Sequence, residues 1–173
     1  YPDRTVEDYR DYAVMGCTEI NLPHITMQHS LEGQCFAPKW LELALNNGKC
    51  ALCGKQIGPE TGDPRTFVSM AAVRRAFREQ VFYWMKHMAK GIKVVKETQA
   101  ERIMAPFCSS LAEGPLQKGL DLAQGGAWYT TYGLYLAGVA DTADSLAVID
   151  KLIYHDQKIT WDQLLEAIKA NWQ

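Results

Sequence analysis

The chain has 173 residues, 47% of them hydrophobic and 22% charged, with a net charge of −2 and a pI near 6.1. That is the length and composition of one ordinary globular domain with a sizeable core, and the mildly acidic balance argues against nucleic acid or an anionic membrane as partner. No apolar run approaches the roughly 18 residues of a membrane span and no signal peptide opens the chain, so the five cysteines read as free thiols in a reducing, cytoplasmic setting.

Tyr1-Pro2-Asp3 is a start without Met, and Asn171-Trp172-Gln173 stops while still helical in character. Both ends read as cut, so a piece of something longer is expected. Thr5 to Met15 reads as a short helix with Thr5 as N-cap, Glu7 and Asp8 in the first turn and Gly16 as the stop. Then comes Met15-Gly16-Cys17-Thr18-Glu19-Ile20, which sets a thiol and a carboxylate two positions apart just after a glycine. In an extended stretch, residues i and i+2 share a face, which would put Cys17 and Glu19 in one pocket. A sulfur beside a general acid/base is a sensible pair for chemistry, although such a string is common by chance and a buried structural cysteine is the plainer reading.

Pro23 marks loop or strand edge, and residues 25–35, with His29 and Gly33, read as loop with some strand. Phe36 to Asn47 is the next helix, with Pro38 in its first turn and Trp40, Leu41, Ala44 and Leu45 as its buried stripe, stopped by Asn46-Asn47-Gly48. Lys49 to Arg65 is a turn-rich loop. Ser69 caps the longest helix, Met70 to Ile103, whose apolar positions from Val73 to Val95 step by three and four. Pro106 breaks it, and a further helix runs from Leu111 to Lys118. The Gly125-Gly126 pair leads into a strand through Tyr129 and Gly133. A helix opens at Asp141 with Leu146, Ile149, Leu152 and Ile153 inward, and Thr160 and Gln163 form a capping box ahead of a terminal helix. Helix dominates with short strands between, so the expected fold class is α/β.

Two rival site readings arise from the residues. His24-x4-His29 with Cys50-x2-Cys53 offers four zinc ligands, but the histidine pair is loose and no second Cys-x2-Cys follows. A redox Cys-x2-Cys of the thioredoxin kind lacks the βαβ context, and the bland reading is two ordinary thiols in a turn. A Cys17/His hydrolase needs a histidine beside the sulfur, and the sequence puts none there; His87 and His155 read as exposed.

Several stretches resemble the glycyl-radical enzymes of the pyruvate formate-lyase-like family, in its order across nearly the whole chain. Gly16-Cys17-Thr18-Glu19 is similar to the family's active-site cysteine loop, and Leu41 to Gly48 to the helix and stop after it. Thr61-Gly62-Asp63-Pro64 resembles the loop before the long helix. Gly125-Gly126-Ala127-x-Tyr129 and Ala140-Asp141-x-Ala143-Asp144-Ser145-Leu146-Ala147 resemble the strand and helix that follow.

The resemblance implies a helix-rich part of a ten-stranded α/β barrel, residues 1–173 forming a single partial domain from its C-terminal part, with the cysteine loop at 15–20. It implies an anaerobic lyase in which Cys17 becomes a thiyl radical that takes a hydrogen atom from a small-molecule substrate while Glu19 acts as general acid/base. The neighbour of Cys17 is Thr18 rather than a second cysteine, which disfavours acetyl transfer and points to the dehydratase, carbon–nitrogen lyase or decarboxylase branch; an alkyl- or arylsuccinate synthase is the alternative within the family. His24 and His29 follow closely enough to touch substrate. No metal and no bound cofactor are expected in this piece. The resemblance places the radical on a downstream glycine that this stretch does not contain, installed by a radical S-adenosylmethionine activase with an iron–sulfur cluster, in an enzyme that is a homodimer when complete. Alone, the piece is expected to be inactive and poorly soluble.

Overall fold

A computed structural model describes residues 3–16 and 19–171, with the side chains of 28–31 also outside the description. The chain divides into two compact units: residues 1–34 with 88–135, and residues 35–87 with 136–173.

In the first unit, α1 (Val6–Arg10) starts where the Thr5 hydroxyl accepts from the Asp8 N–H and the Asp8 carboxylate accepts from the Thr5 N–H, a closed capping box. The helix ends at Asp11 rather than running to Met15. Ala13–Met15 instead form β1, antiparallel to β2 (Glu19–Asn21), with Ala13 opposite Asn21, Val14 opposite Ile20 and Met15 opposite Glu19. Cross-strand pairing of the β-branched Val14 and Ile20 outcompetes continuation of a short helix that buries nothing. The stretch 25–35, expected to be mostly loop, is largely strand: β3 (Thr26–Phe36) pairs with β4 (Tyr129–Ala137), which is entered through Gly125 as its sequence suggests. Packing on this sheet is tight at Gly33, where a Cβ would crowd the Met88 methyl and Leu134.

The expected helix from Leu111 to Lys118 is instead two short ones, α4 (Pro106–Ser110) and α5 (Pro115–Lys118), each opening with proline at its first position. Asp121 ties this region together: its carboxylate accepts from the Ala105 N–H at 2.9 Å, the Ser109 hydroxyl at 2.8 Å and the Ala123 N–H at 2.9 Å. Burial pushes its carboxyl up, but these donors outweigh that and hold it below the ordinary carboxylate range.

The second unit holds the main hydrophobic core. The helix α2 (Ala37–Leu45) buries Ala37, Trp40, Leu41, Leu43 and Ala44, with Leu43 fully enclosed and Leu45 half-buried. Gly48, at φ +80°, stops it and packs so closely on the Gly58 and Pro59 carbonyls that no Cβ fits. The long helix α3 (Met70–Arg102) follows Ser69, whose carbonyl accepts from the Ala72 N–H, and it contributes Met70, Val73 and Ala76 to the core. Further along, its stripe from Phe77 to Ile92 is only half-buried and Val95 is exposed. A helix α6 (Val139–Ile149) begins directly after Gly138, two residues before Asp141, and widens into a looser turn over Asp150–His155. Then α7 (Trp161–Lys169) starts at the Thr160/Gln163 capping box as its sequence requires. Ala44, Phe67, Met70, Val73, Ala76, Ile149, Trp161 and Leu164 form one cluster, with Trp161 edge-on to Phe67 and Tyr154. The result is a helix-rich α/β fold.

Candidate functional site

The β1–β2 hairpin shapes the Met15–Ile20 stretch. It is not one extended segment: Met15 faces Glu19 across the ladder, so the chain reverses between them. The shared-face expectation for Cys17 and Glu19 falls outside the described residues, which omit Cys17 and Thr18. Gly16 sits at φ +62°, a conformation that favours glycine. The Glu19 carboxylate folds back over it: a Cβ on Gly16 would lie 2.7 Å from Oε2 and 3.3 Å from Oε1. So Gly16 does two things here, supplying the reversal and leaving the space that the carboxylate fills.

Asn21 stands two residues on from Glu19 and shares its face of β2, both half-buried while Ile20 between them is exposed. Its Oδ1 is buried and accepts no hydrogen bond among the described residues. An orphaned buried acceptor costs on the order of 1–3 kcal/mol, so it marks a place where a donor belongs. The sequence reading, which took this stretch as loop or strand edge, did not single out Asn21; the i, i+2 relation to Glu19 was the available signal.

After β2 the chain is pinned in several places. Leu22 is buried, and its carbonyl accepts from the Thr26 hydroxyl at 2.7 Å and the Thr26 N–H at 3.2 Å. His24 is exposed and takes a left-handed backbone, φ 72°, while its carbonyl accepts from the Glu113 N–H at 2.8 Å. The Ile25 carbonyl accepts from the Tyr129 N–H at 3.1 Å, fastening this turn to the start of β4. The Tyr129 hydroxyl accepts from Arg4 Nε at 3.3 Å and donates to Asp3. A polar cleft of about 300 Å³ opens among Arg4, Asp8, Asp11, Leu22, His24 and Glu113. Asp8 is held below the ordinary carboxylate range first by the Thr5 N–H and then by the Thr5 hydroxyl.

His24 thus borders a cleft in the first unit. His29 falls on β3, and its side chain lies outside the described residues. His87 and His155 are exposed, as expected, with His87 Nδ1 2.9 Å from the Tyr83 carbonyl and His155 Nδ1 3.1 Å from Asp156. For the zinc reading, His24 belongs to the first unit and Cys50 and Cys53 to the second. Among the described residues no three His, Cys, Asp or Glu side chains gather where a metal ion fits. Among those residues, too, no helix is long and apolar enough to cross a membrane.

Comparison with known proteins extends this picture. The chain is 32% identical over 168 residues to (2S)-3-sulfopropanediol dehydratase of Klebsiella oxytoca, covering 97% of this chain and 20% of that protein. It superposes on hydroxyproline dehydratase from Clostridioides difficile, solved with trans-4-hydroxy-L-proline bound, with a TM-score of 0.92 at 34% identity, over 98% of this chain and 21% of that one. It likewise matches a glycyl radical enzyme from Archaeoglobus fulgidus with a TM-score of 0.84 at 29% identity, over 95% of this chain and 21% of that one. The chain spans about a fifth of the length of these relatives. The family described as pyruvate formate lyase-like matches residues 2–173. With that match over almost its whole length, and relatives of the glycyl-radical dehydratase type, the chain belongs to the pyruvate formate lyase-like family.

Proposed function

We propose that this chain carries the thiol half of an anaerobic glycyl-radical dehydratase acting on a small hydroxyl-bearing molecule. The observation that supports it most is the Glu19 carboxylate folded over Gly16 at the end of a hairpin, in a chain that matches this family from residue 2 to 173. Two of the relatives are dehydratases, which favours loss of water over decarboxylation.

The radical on a glycine of the longer protein, installed by a radical S-adenosylmethionine activase, supplies the removal of the hydrogen atom from the Cys17 thiol. The side-chain-free Gly16 supports this reading by leaving room for the Glu19 carboxylate beside the cysteine stretch. Cys17 then takes a hydrogen atom from a substrate carbon: the C–H bond breaks and the S–H bond reforms. Glu19 delivers a proton to the departing hydroxyl, which leaves as water, and takes one back from the substrate itself, so that the substrate loses one water in all. Cys17 returns its hydrogen atom to the product carbon. Asn21 Oδ1 accepts from a substrate hydroxyl and so fixes which face meets the sulfur. Water is kept from the reacting centre by a ten-stranded α/β barrel, of which residues 1–173 are one partial domain. His24 and His29 line the approach to substrate. The complete protein is a cytoplasmic homodimer, and residues 1–173 alone do not turn over substrate.

The test is Glu19→Gln in the activated full-length protein under anaerobic conditions. It lowers kcat by about 10²–10⁴-fold while the glycyl-radical EPR signal forms as in the parent. An unchanged kcat contradicts the role given to Glu19.

A further inference from the structure

The turn after α2 brings together a second set of sulfur groups that the dehydration chemistry does not use. The Cys50 N–H donates to the Lys55 carbonyl at 2.9 Å and the Gly54 N–H to the Cys50 carbonyl at 2.8 Å, closing a tight loop around Cys50-Ala51-Leu52-Cys53. Lys39, in the first turn of α2, places Nζ 3.1 Å from the Cys50 sulfur. Glu42 fixes that ammonium from the other side at 2.7 Å and 2.8 Å, and also accepts from the Ala51 N–H at 2.8 Å. Cys50 is buried, 7% exposed, whereas Cys53 is exposed and Leu52 beside it is 93% exposed. The turn therefore has a shielded, cation-held sulfur and an outward thiol on one short loop.

We propose that Cys50 and Cys53 form a thiol modification site that small hydroperoxides oxidise to an intraloop disulfide. The Cys50 sulfur attacks a hydroperoxide oxygen; the O–O bond breaks, the other oxygen leaves as water or alcohol, and Cys50 becomes a sulfenic acid. The Cys53 sulfur then attacks the Cys50 sulfur, the S–O bond breaks, and the hydroxyl leaves as water with the Cys53 proton. In sum two thiols lose two hydrogens and one hydroperoxide is reduced by two electrons.

Several groups favour Cys50 as the attacking sulfur. The Cys53 N–H first and the Lys39 ammonium second stabilise its thiolate; burial opposes them, and the Cys53 thiol and Leu52 N–H add to the donors, bringing the group down to about 7. At neutral pH a substantial fraction of Cys50 is then in the nucleophilic form. Cys35, in contrast, is pushed up by burial alone and is a poor competitor. Oxidation takes the thiolate away from Lys39 and leaves Glu42 as its partner on α2.

The experiment uses the reduced full-length protein, purified without oxygen and titrated with hydrogen peroxide at pH 7. Trypsin cleavage after Lys49 and Lys55 releases Cys50 and Cys53 together on one six-residue peptide, Cys50 to Lys55. The expected result is loss of two hydrogens from this peptide before Cys35 or Cys108 is modified. Cys53→Ser halts the reaction at a sulfenic acid on Cys50 that dimedone traps. Lys39→Met slows alkylation of Cys50 at pH 7 by about three- to tenfold, while Cys53 is little affected. The proposal is overturned if both thiols survive stoichiometric peroxide, if Cys35 or Cys108 reacts first, or if Cys53 in Cys50→Ser oxidises as fast as the parent loop.

Discussion

The two units stabilise themselves by different means. The second, residues 35–87 with 136–173, encloses one continuous apolar cluster from Ala44 to Leu164. Among the described residues the first, residues 1–34 with 88–135, contributes Leu22, Leu122 and Ala127 to the buried apolar residues and relies on polar anchors such as Asp121 and the Thr5/Asp8 box. It is also the unit that carries the hairpin with Gly16 and Glu19. Folding strength and the proposed chemistry are thus separated: apolar burial supports the unit without the hairpin, and the unit with it is organised by hydrogen bonds that fix direction rather than by a large core.

The sharpest way to break that contrast is to empty the core. Trp161→Ala removes a ring packed edge-on against Phe67 and Tyr154 and should cost about 3–5 kcal/mol in urea unfolding of the chain, with Leu164 and Ile149 amides losing protection first. If the first unit's amides lose protection equally, the separation is wrong. A smaller loss, about 1–3 kcal/mol, is expected of Gln80→Ala. This fully buried side chain donates to the Pro59 carbonyl at 2.8 Å and fills the space beside Gly58, so its removal should loosen the loop 58–62 in hydrogen exchange.

In the first unit the leading effect is polar. Asp121→Asn should cost about 1–2 kcal/mol, read from exchange of the Ala105 and Ala123 amides. The sign follows from the depressed carboxyl: the contribution is complete above the unfolded carboxylate range near 3.9 and fades as the pH falls through the lower folded value. The parent and the variant should therefore converge in acid. The smallest effect is expected of Val14→Thr on the exposed side of the hairpin, below about 0.5 kcal/mol in the chain of residues 1–173.

The same contrast explains what the sequence made legible. Elements of the second unit follow from local signals: Asn46-Asn47-Gly48 ends α2 and Thr160 and Gln163 open α7, while the three-and-four stripe read along α3 from Val73 is fully buried only at Val73. Where the readings erred, in the first unit, long-range pairing outweighed local propensity. Thr5 to Met15 looked helical because Val14 shows no sign in the sequence of meeting Ile20, and 25–35 looked like loop with some strand because its partner strand lies a hundred residues away at Tyr129–Ala137. The Gly16-to-Glu19 string was visible as letters, and the position of its carboxylate was not: Glu19 lies over Gly16, which spacing along one strand does not anticipate. Asn21 and Lys39 became visible only once burial and partners were known.

The measurement that bears most directly on the proposed chemistry is turnover by Cys17→Ala in the full-length protein after anaerobic activation, with the radical followed by EPR. The account predicts a glycyl-radical signal of normal size and no product, because the radical is stored but no sulfur passes it to substrate. Product formation by that variant at a rate near the parent's would contradict it.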